Sequence, residues 1–406
     1  MSASLPTSEI DGPYAWARLA ISMLLATIGC AGMWIIVVVL PSIQADFAVD
    51  RGGASIPYTA TMIGFAIGNV VVGRLVDRMG YWLPALIASI SIGLGLIAAS
   101  FAQSLWVFAT VHGVLVGLGS AAMFGPLIAD ISHWFERHRG FAVAAAACGN
   151  YIAGALWPAI MPYLMNGWGW RGAYLAIGVF SLFAMAPLSL LLRRRIDHSA
   201  RKSSASLARR ELSLSPANLQ ALLVVAGFGC CMAMAMPQVH IVAYCMDLGF
   251  GVARGAEMLA LMLAGGVVSR LGSGILADRI GGIRTLLIGS VLQCLALAAY
   301  IPFDGLASLY IVSLVFGLSQ GGIVPCYAVI VREYLPAHEA GKRIGLVIMA
   351  TVVGMAVGGW VSGLIYDWTG SYAAAFLNGI AWNLINIAAM LLILTRDRNN
   401  ARPAAA

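Results

Sequence analysis

One arginine stands inside an otherwise apolar stretch of the sequence, "MLAGGVVSRLGSGILADRIGGIR", residues 262–284. Arg270 precedes Asp278 by eight residues, which corresponds to about 12 Å along a helix. Half of the hydrocarbon core of a bilayer is about 15 Å thick. A charge at that depth is costly and must face a cavity or a partner. A guanidinium placed there can hold a carboxylate through two parallel hydrogen bonds.

The composition shows that this stretch is one of many membrane spans. Of the 406 residues, 61% are hydrophobic and 10% are charged, whereas about a quarter of the residues of soluble domains are charged. Apolar stretches near the roughly 20 residues needed to cross a bilayer recur along the chain. They predict twelve spans, at about 16–41, 54–76, 82–101, 105–132, 140–165, 171–193, 217–246, 254–277, 284–303, 306–331, 342–366 and 372–395. The first run is too long for a signal-peptide core and is predicted to be a retained helix.

The polar remainder excludes several classes of protein. No stretch between the spans is long enough to fold as a soluble enzyme domain, so we expect no enzyme. All seven cysteines lie in predicted spans without metal-ligand spacing, and we expect no metal or cofactor. The glycine-rich run 113–122 lacks the strand and the Lys-Ser/Thr of a phosphate-binding loop, so it is predicted to be a site of close helix packing.

The net charge of +7 is distributed in the manner of a membrane protein. With the N-terminus in the cytoplasm, 20 of the 24 Lys and Arg residues fall on the inner side. Arg51, Arg171 and Arg254 are then outside, and Arg270 lies in the membrane. This positive-inside bias predicts a multi-pass plasma-membrane protein with both termini cytoplasmic and with no nucleic-acid partner.

The two halves of the chain repeat each other. "GRLVDRMGYW" follows the second span and "GILADRIGGI" follows the eighth, and four positions match at a constant separation of 201 residues. The pairs are Gly73 with Gly274, Asp77 with Asp278, Arg78 with Arg279 and Gly80 with Gly281. We predict an N-terminal bundle at 1–192, a basic, Ser-rich cytoplasmic linker at 193–216 and a C-terminal bundle at 217–406. Parallel six-span halves are typical of secondary transporters that bind their cargo at the interface.

The repeated G-x-x-x-D-R-x-G loop resembles the signature loop of the major facilitator superfamily, over essentially the whole chain. The resemblance implies an all-α membrane protein with twelve transmembrane helices in two six-helix bundles related by pseudo-two-fold symmetry. It also implies a gate in which the glycines allow close helix approach and the Asp and Arg side chains pair in one conformation only. Asp130 is placed to join this gate through Arg78. The alternative is that these charges cap helices and reach toward the membrane surface.

Three further stretches resemble bacterial monocarboxylate porters and oxalate:formate antiporters. They are "DGPYAWARLAI" (11–21), "HWFERHRGFAVAAAACGNYIAG" (133–154) and "VHIVAYCMDLGF" (239–250). This resemblance implies that Arg270 meets the substrate carboxylate. The alternative for Arg270 is an internal ion pair, with Asp130 and Glu257 as the acids near spans.

The chain also departs from these families. The first-span lysine and the acidic residue before the arginine in mammalian members are replaced by "GMWIIVVV" and Gly266, and the eleventh span has no lysine. One buried cation complements one carboxylate, so a dicarboxylate is disfavoured.

Five other residues are candidates for the walls of a substrate site. His240 can hydrogen-bond the substrate or carry a proton, because imidazole titrates near neutrality. Asn150 and Tyr151, in the fifth span, Phe124, in the fourth, and Tyr327, in the tenth, are candidates to pack against the body of the substrate. The alternative for each is ordinary helix packing. His112 is a weaker candidate of the same kind as His240, and Asn378, Asn383 and Asn386 are predicted to make interhelical hydrogen bonds.

These observations predict a secondary active transporter for a small organic monocarboxylate such as lactate or pyruvate. Alternating access and proton coupling are expected, and we expect a functional monomer whose partners are the organic anion, the proton and the lipid bilayer. The alternatives are an exporter of lipophilic compounds, which needs no buried cation, an organic-anion antiporter, and a sensor that binds ligand without net flux.

Overall fold

A computed structural model describes residues 10–194, 214–335 and 339–398, and helix is the only regular secondary structure within them. The chain is helical because backbone groups must be satisfied internally within lipid. The helices are long and apolar because each must cross the hydrocarbon core of the bilayer. Their bounds are Pro13–Gly29 and Ala31–Asp46, Arg51–Met79, Trp82–Ser100, Leu105–Val111, Leu118–Ser120 and Gly125–Trp134, Arg139–Leu190, Pro216–Asp247, Gly251–Ile280, Gly282–Ala299, Leu306–Gln320 and Ile323–Tyr334, Ala340–Thr369, and Tyr372–Arg398.

One of these helices crosses the membrane twice. Arg139–Leu190 has 52 residues, which corresponds to roughly 78 Å and more than twice the thickness of the hydrocarbon core. Gly169 interrupts it with φ 65° and ψ 175°, a conformation that glycine adopts without steric cost. The eleven continuous apolar segments of the described residues therefore make twelve crossings, which confirms the predicted all-α architecture. We number the crossings as spans 1 to 12.

Spans 4 and 10 are interrupted at equivalent places. In span 4 a π-helical turn, His112–Gly117, and a 3-10 turn, Ala121–Met123, precede Phe124, whose φ of −128° and ψ of −92° are not helical. In span 10 the interruption falls at Gly321 and Gly322, between two helices. Interruptions of this kind release backbone carbonyls from the helical ladder and leave them available to side chains.

The first and last six spans meet mainly along two helix pairs, span 2 with span 11 and span 5 with span 8, and span 1 also contacts span 7. Following the predicted topology, we call the side that holds residue 13 the inner side. On the outer side the pairs are in close contact: a Cβ added at Gly363 would lie 2.9 Å from Arg51 O, and one at Gly359 would lie 3.1 Å from the Tyr58 ring. Small residues allow this approach.

The same helix faces have open space toward the inner side. Gly345 precedes Gly363 by 18 residues, or about five helical turns, so both lie on one face of span 11. A Cβ added at Gly345 would nevertheless have no atom within 4 Å. Spans 2, 5 and 8 show the same contrast. Added Cβ atoms at Gly73, Gly140 and Gly274, toward the inner side, would have no atom within 4 Å. Farther toward the outer side, Thr59 contacts Ala356, and an added Cβ at Gly154 would overlap Leu263. The molecule is thus closed between its halves on the outer side and open on the inner side.

The linker predicted at 193–216 lies mostly outside the described residues. Its beginning is anchored by Arg18, which donates from Nη1 to the carbonyl oxygen of Leu192, just before the linker, at 3.1 Å and to that of Arg194 at 3.3 Å.

Asp11, just before span 1, accepts hydrogen bonds from the backbone amides of Arg137 and Glu136 at 2.9 and 3.2 Å. These bonds, that from Arg137 most strongly, lower the pKa of Asp11. At a pH above this pKa, the ionised Asp11 of the "DGPYAWARLAI" motif binds the connection between spans 4 and 5. These hydrogen bonds weaken as the pH falls through the pKa of Asp11, because its carboxylate becomes protonated.

Candidate functional site

Arg270 lies on span 8 at the interface between the halves. Its side chain is 7% exposed. Nε donates to Gly321 O of span 10 at 3.2 Å, and Nη1 donates to Ala147 O of span 5 at 2.8 Å. The Gly321 carbonyl belongs to the interruption of span 10, so the break in that helix supplies an oxygen to the arginine. Arg270 thus contacts both halves, each through a neutral carbonyl.

The guanidinium of Arg270 has no acidic partner among the described residues. Asp130 is paired with Arg18, with 2.8 Å between Oδ2 and Nε. Glu257 is paired with Arg254 at 2.9 Å and accepts a hydrogen bond from Tyr310. Neither acid contacts Arg270, so the internal ion pair considered as an alternative is not present.

One nitrogen of this guanidinium is available to a ligand. Within the described residues Nη2 of Arg270 donates to no carbonyl or carboxylate oxygen, yet it is absent from the buried polar atoms that lack a partner. It therefore reaches accessible space. Arg270 lies ten residues before the inner end of span 8, or about 15 Å from it, and is therefore nearer to the inner end of the span than to its outer end.

Tyr151 makes the wall beside this charge. Its ring is buried, and the Arg270 Cζ lies 4.3 Å from the ring centroid, within the range of a cation–π interaction. The ring also fills the space beside Gly266, where an added Cβ would lie 2.5 Å from Tyr151 Cε1. This explains the departure noted above: the volume next to an acidic side chain at position 266 is occupied by the ring.

The structure brings Tyr151 to Arg270, whereas three other candidates contact residues away from Arg270. Asn150 accepts a hydrogen bond from Trp34 Nε1 through Oδ1, at 3.0 Å. Phe124 lies 6.0 Å from Phe65, ring centroid to ring centroid, at the interruption of span 4. Tyr327 is fully buried and donates to Asn386 Oδ1 at 3.0 Å. Asn383 and Asn386 donate to Ser290 on span 9, as expected of interhelical donors.

His240 lies away from Arg270, behind the outer contact between the halves. It is seven residues from the outer end of span 7, whereas Arg270 is 19 residues from the outer end of span 8, which gives a difference in depth of roughly 18 Å. Its Nε2 lies 2.7 Å from Gly359 O and its Nδ1 lies 3.3 Å from the Tyr372 hydroxyl. One small carboxylate does not touch both His240 and Arg270 in this conformation.

The outer contact is organised by Arg51, which the sequence predicted only as a charge on the outer side. Its side chain is 5% exposed, and it reaches from span 2 to Asp247 at 3.1 Å and to the Tyr372 hydroxyl at 2.9 Å. Asp367, at the end of span 11, accepts from the backbone amides of Arg51 and Gly52 at 2.9 and 2.7 Å, so it caps a helix of the opposite half. The sequence carried a signal for Asp247. It lies 201 residues after Asp46, and each of the two is the last residue of the first span of its half.

The proposed gate residues on the inner side are apart in this conformation. Asp77, Arg78, Asp278 and Arg279 are exposed, and none takes part in an ion pair within the described residues. In this conformation Asp130 contacts Arg18 and not Arg78, since Arg18 donates to its carboxylate through Nε and Nη2, at 2.8 and 3.0 Å. The close approach expected at Gly73 and Gly274 is likewise missing, since added Cβ atoms would meet nothing within 4 Å. The gate itself stays a prediction, because it concerns the other conformation.

A family model described as the Major Facilitator Superfamily matches residues 22–341 and 258–406. The chain therefore belongs to the major facilitator superfamily of membrane transporters. A bacterial homologue of the human lysosomal transporter Spinster, in an inward-facing and unoccupied conformation, superposes with a TM-score of 0.75 at 14% identity, covering 97% of this chain and 99% of that one.

Curated relatives within the superfamily include carriers named for monocarboxylates. The chain is 27% identical to Monocarboxylate transporter 13 of Rattus norvegicus, with 81% of this chain and 78% of the relative aligned. It is 27% identical to Monocarboxylate transporter 11 of Mus musculus, covering 92% and 86%. It is also similar to the MFS-type transporter pynF of Aspergillus niger, at 26% identity over 74% and 69%. The chain is thus a membrane transporter and not an enzyme.

Proposed function

We propose that this protein is a secondary active transporter that moves a small organic monocarboxylate, such as lactate or pyruvate, across the plasma membrane. It works as a monomer with both termini in the cytoplasm, by alternating access coupled to a proton. The observation that carries the proposal is the buried guanidinium of Arg270, which has neutral carbonyls on two nitrogens and no acid within the described residues.

The charge of Arg270 defines the chemistry of the cargo. A guanidinium removed from water needs a counter-ion, and the accessible Nη2 together with the second hydrogen of Nη1 offers a fork that fits one carboxylate. The Tyr151 ring supplies apolar surface for the body of a small acid. The names of relatives in the monocarboxylate transporter group agree with this cargo.

The same charge couples binding to movement. Because the outer side is closed, the cargo reaches Arg270 from the inner opening. Closing the inner side over an unneutralised guanidinium would leave a buried charge without a partner, which is strongly unfavourable. A bound carboxylate removes most of that cost, so closure is favoured when the cargo is present.

Uptake of labelled lactate and pyruvate into proteoliposomes tests the proposal. In Arg270→Gln we expect uptake to fall by roughly 30-fold or more, since removing one partner of a buried charge pair costs about 2–5 kcal/mol. Arg254→Gln is the matched control, because it removes an exposed arginine from the same helix.

Carboxylate uptake that is unchanged in Arg270→Gln would contradict the proposal and favour the exporter of lipophilic compounds. Uptake that requires an organic anion inside the vesicle and ignores a pH gradient would favour the antiporter.

A further inference from the structure

We propose that Asn69, on span 2, binds a second polar group of the cargo, so that the preferred substrates carry a hydroxyl or keto oxygen next to the carboxylate. This inference rests on the proposed function and names the subclass of acid. Asn69 was not singled out by any motif in the sequence.

Asn69 is the counterpart of Arg270 in the internal repeat. The two are 201 residues apart, the same separation that relates the matching positions of the two repeated loops. The surrounding backbone is equivalent as well. An added Cβ at Gly117 of span 4 would overlap Thr61 O, and one at Gly317 of span 10 would overlap Met262 O. Thr61 and Met262 are again 201 residues apart.

The two side chains lie at the same depth and beside equivalent helix interruptions. Asn69 is 18 residues from the outer end of its helix and Arg270 is 19, so both lie about 27–29 Å from that end. An added Cβ at Gly125, where span 4 resumes after Phe124, would lie 2.6 Å from Asn69 Oδ1. Arg270 contacts Gly321 O in the interruption of span 10.

The amide of Asn69 has unused hydrogen-bonding capacity. Nδ2 donates one hydrogen to Phe65 O at 2.8 Å, one turn earlier on the same helix. Within the described residues Oδ1 accepts no hydrogen bond, and it is absent from the buried polar atoms that lack a partner, so it reaches accessible space. One acceptor and one N–H therefore remain. A hydroxyl can use both and a keto oxygen can use the N–H.

The pseudo-two-fold relation places the two groups on opposite walls, Asn69 on the N-terminal half and Arg270 on the C-terminal half. In this conformation the inner parts of the halves are apart. When they close, the amide approaches a carboxylate already held by Arg270. A charged fork on one wall and a neutral amide on the other match an anion that carries one additional neutral polar group.

The test compares acids of equal chain length in proteoliposomes: lactate and pyruvate, which carry the extra oxygen, and propionate, which does not. Asn69→Leu keeps the size of the side chain and removes the amide. We expect lactate and pyruvate uptake to fall roughly three- to tenfold relative to propionate, the worth of one neutral hydrogen bond. Val70→Ala, at the neighbouring and partly exposed position, is the matched control.

Gly125→Ala gives a second, independent variant, because its new methyl group displaces the Asn69 amide without removing it. We expect the same loss of preference for the oxygen-bearing acids. An unchanged ratio of lactate to propionate in both variants, or an equal loss of all three acids, would overturn the role of Asn69 while leaving the monocarboxylate proposal intact. If the unmodified protein carries none of the three acids, the proposed function fails first and this inference fails with it.

Discussion

A guanidinium is stable inside a membrane protein when oxygen atoms surround it and water or a ligand reaches the rest. Arg270 has two carbonyl oxygens, one aromatic face and one accessible nitrogen. Arg18 and Arg51 are also buried, but each has a carboxylate of its own, Asp130 and Asp247. Of these three buried arginines, Arg270 is therefore the one without a carboxylate partner among the described residues, and we propose that the cargo supplies it.

Two histidines, His240 and His112, are fully buried in the described spans and are candidates to carry the coupled proton. Tyr372 connects His240 to Arg51 and so to the contact between the halves. His112 contacts Thr61 and Tyr174, which both belong to the N-terminal half. Of these two histidines, His240 is therefore the one whose protonation can alter the contact between the halves.

We expect His240→Gln to make lactate uptake independent of an imposed pH gradient, because glutamine keeps hydrogen-bonding capacity but does not titrate. His112→Gln serves as the control and should retain the pH dependence of the unmodified protein. The measurement is initial uptake at a fixed internal pH over a series of external pH values. A normal pH dependence in His240→Gln would remove this histidine from the coupling mechanism.

At the scale of elements, small residues decide which helices touch and where. Span 2 illustrates this within one helix. An added Cβ at Gly64 would overlap the carbonyl oxygen of Gly113 in span 4, whereas one at Gly73 would meet nothing within 4 Å. The sequence shows two glycines of equal appearance, and their helix neighbours make them different.

The pair Gly64→Ala and Gly73→Ala therefore should differ sharply in stability. Gly64→Ala forces two backbones apart, and we expect a loss of about 1–3 kcal/mol, seen as a lower thermal unfolding midpoint in detergent. Gly73→Ala should leave that midpoint unchanged, since its methyl group enters open space. Equal midpoints for the two variants would show that spans 2 and 4 do not approach as closely as described.

At the scale of the whole molecule, the outer contact holds the inward-open state of the proposed alternating-access cycle. The Arg51 side chain binds Asp247 and Tyr372 of the opposite half, and the backbone amides of Arg51 and Gly52 bind Asp367. The inner faces of the same helices are apart. The balance between inward-open and outward-open states therefore depends on whether this contact or the predicted inner gate of Asp77, Arg78, Asp278 and Arg279 is the stronger.

Removing the acids of the outer contact should shift that balance. In Asp247→Asn with Asp367→Asn we expect the outward-open population to rise by roughly tenfold or more, because hydrogen bonds to charged groups are worth about 1.5–3 kcal/mol each. Spin labels at Gln103 and Asp304, in outer loops of the two halves, would report a longer distance by pulsed electron resonance.

The control for this shift is Asp46→Asn, which breaks the outer ion pair with Arg171 inside the N-terminal half. Its label distances should match those of the unmodified protein. The same distances in the double variant would exclude a role for these carboxylates in holding the outer side closed.

Much of this organisation can be predicted from the sequence alone. The apolar run lengths required membrane spans, the matching loops required two related halves, and the depth of Arg270 in an apolar stretch required a partner for its charge. These features are local, or repeat at one fixed separation, so a linear sequence displays them. The predicted spans also located the two crossings joined at Gly169, which the backbone makes as one interrupted helix.

Contacts between distant helices were decided only by the tertiary structure. Asp130 pairs with Arg18 across 112 positions, and Arg51 meets Asp247 across 196, because helix tilt and packing bring those ends together. His240 and Arg270 lie on consecutive spans yet at different depths, and neither motif indicated this. Sequence determines how long and how apolar each helix is and which of its residues carry charge. The packing of helix on helix selects which charges find a partner and leaves Arg270 without an acidic one among the described residues.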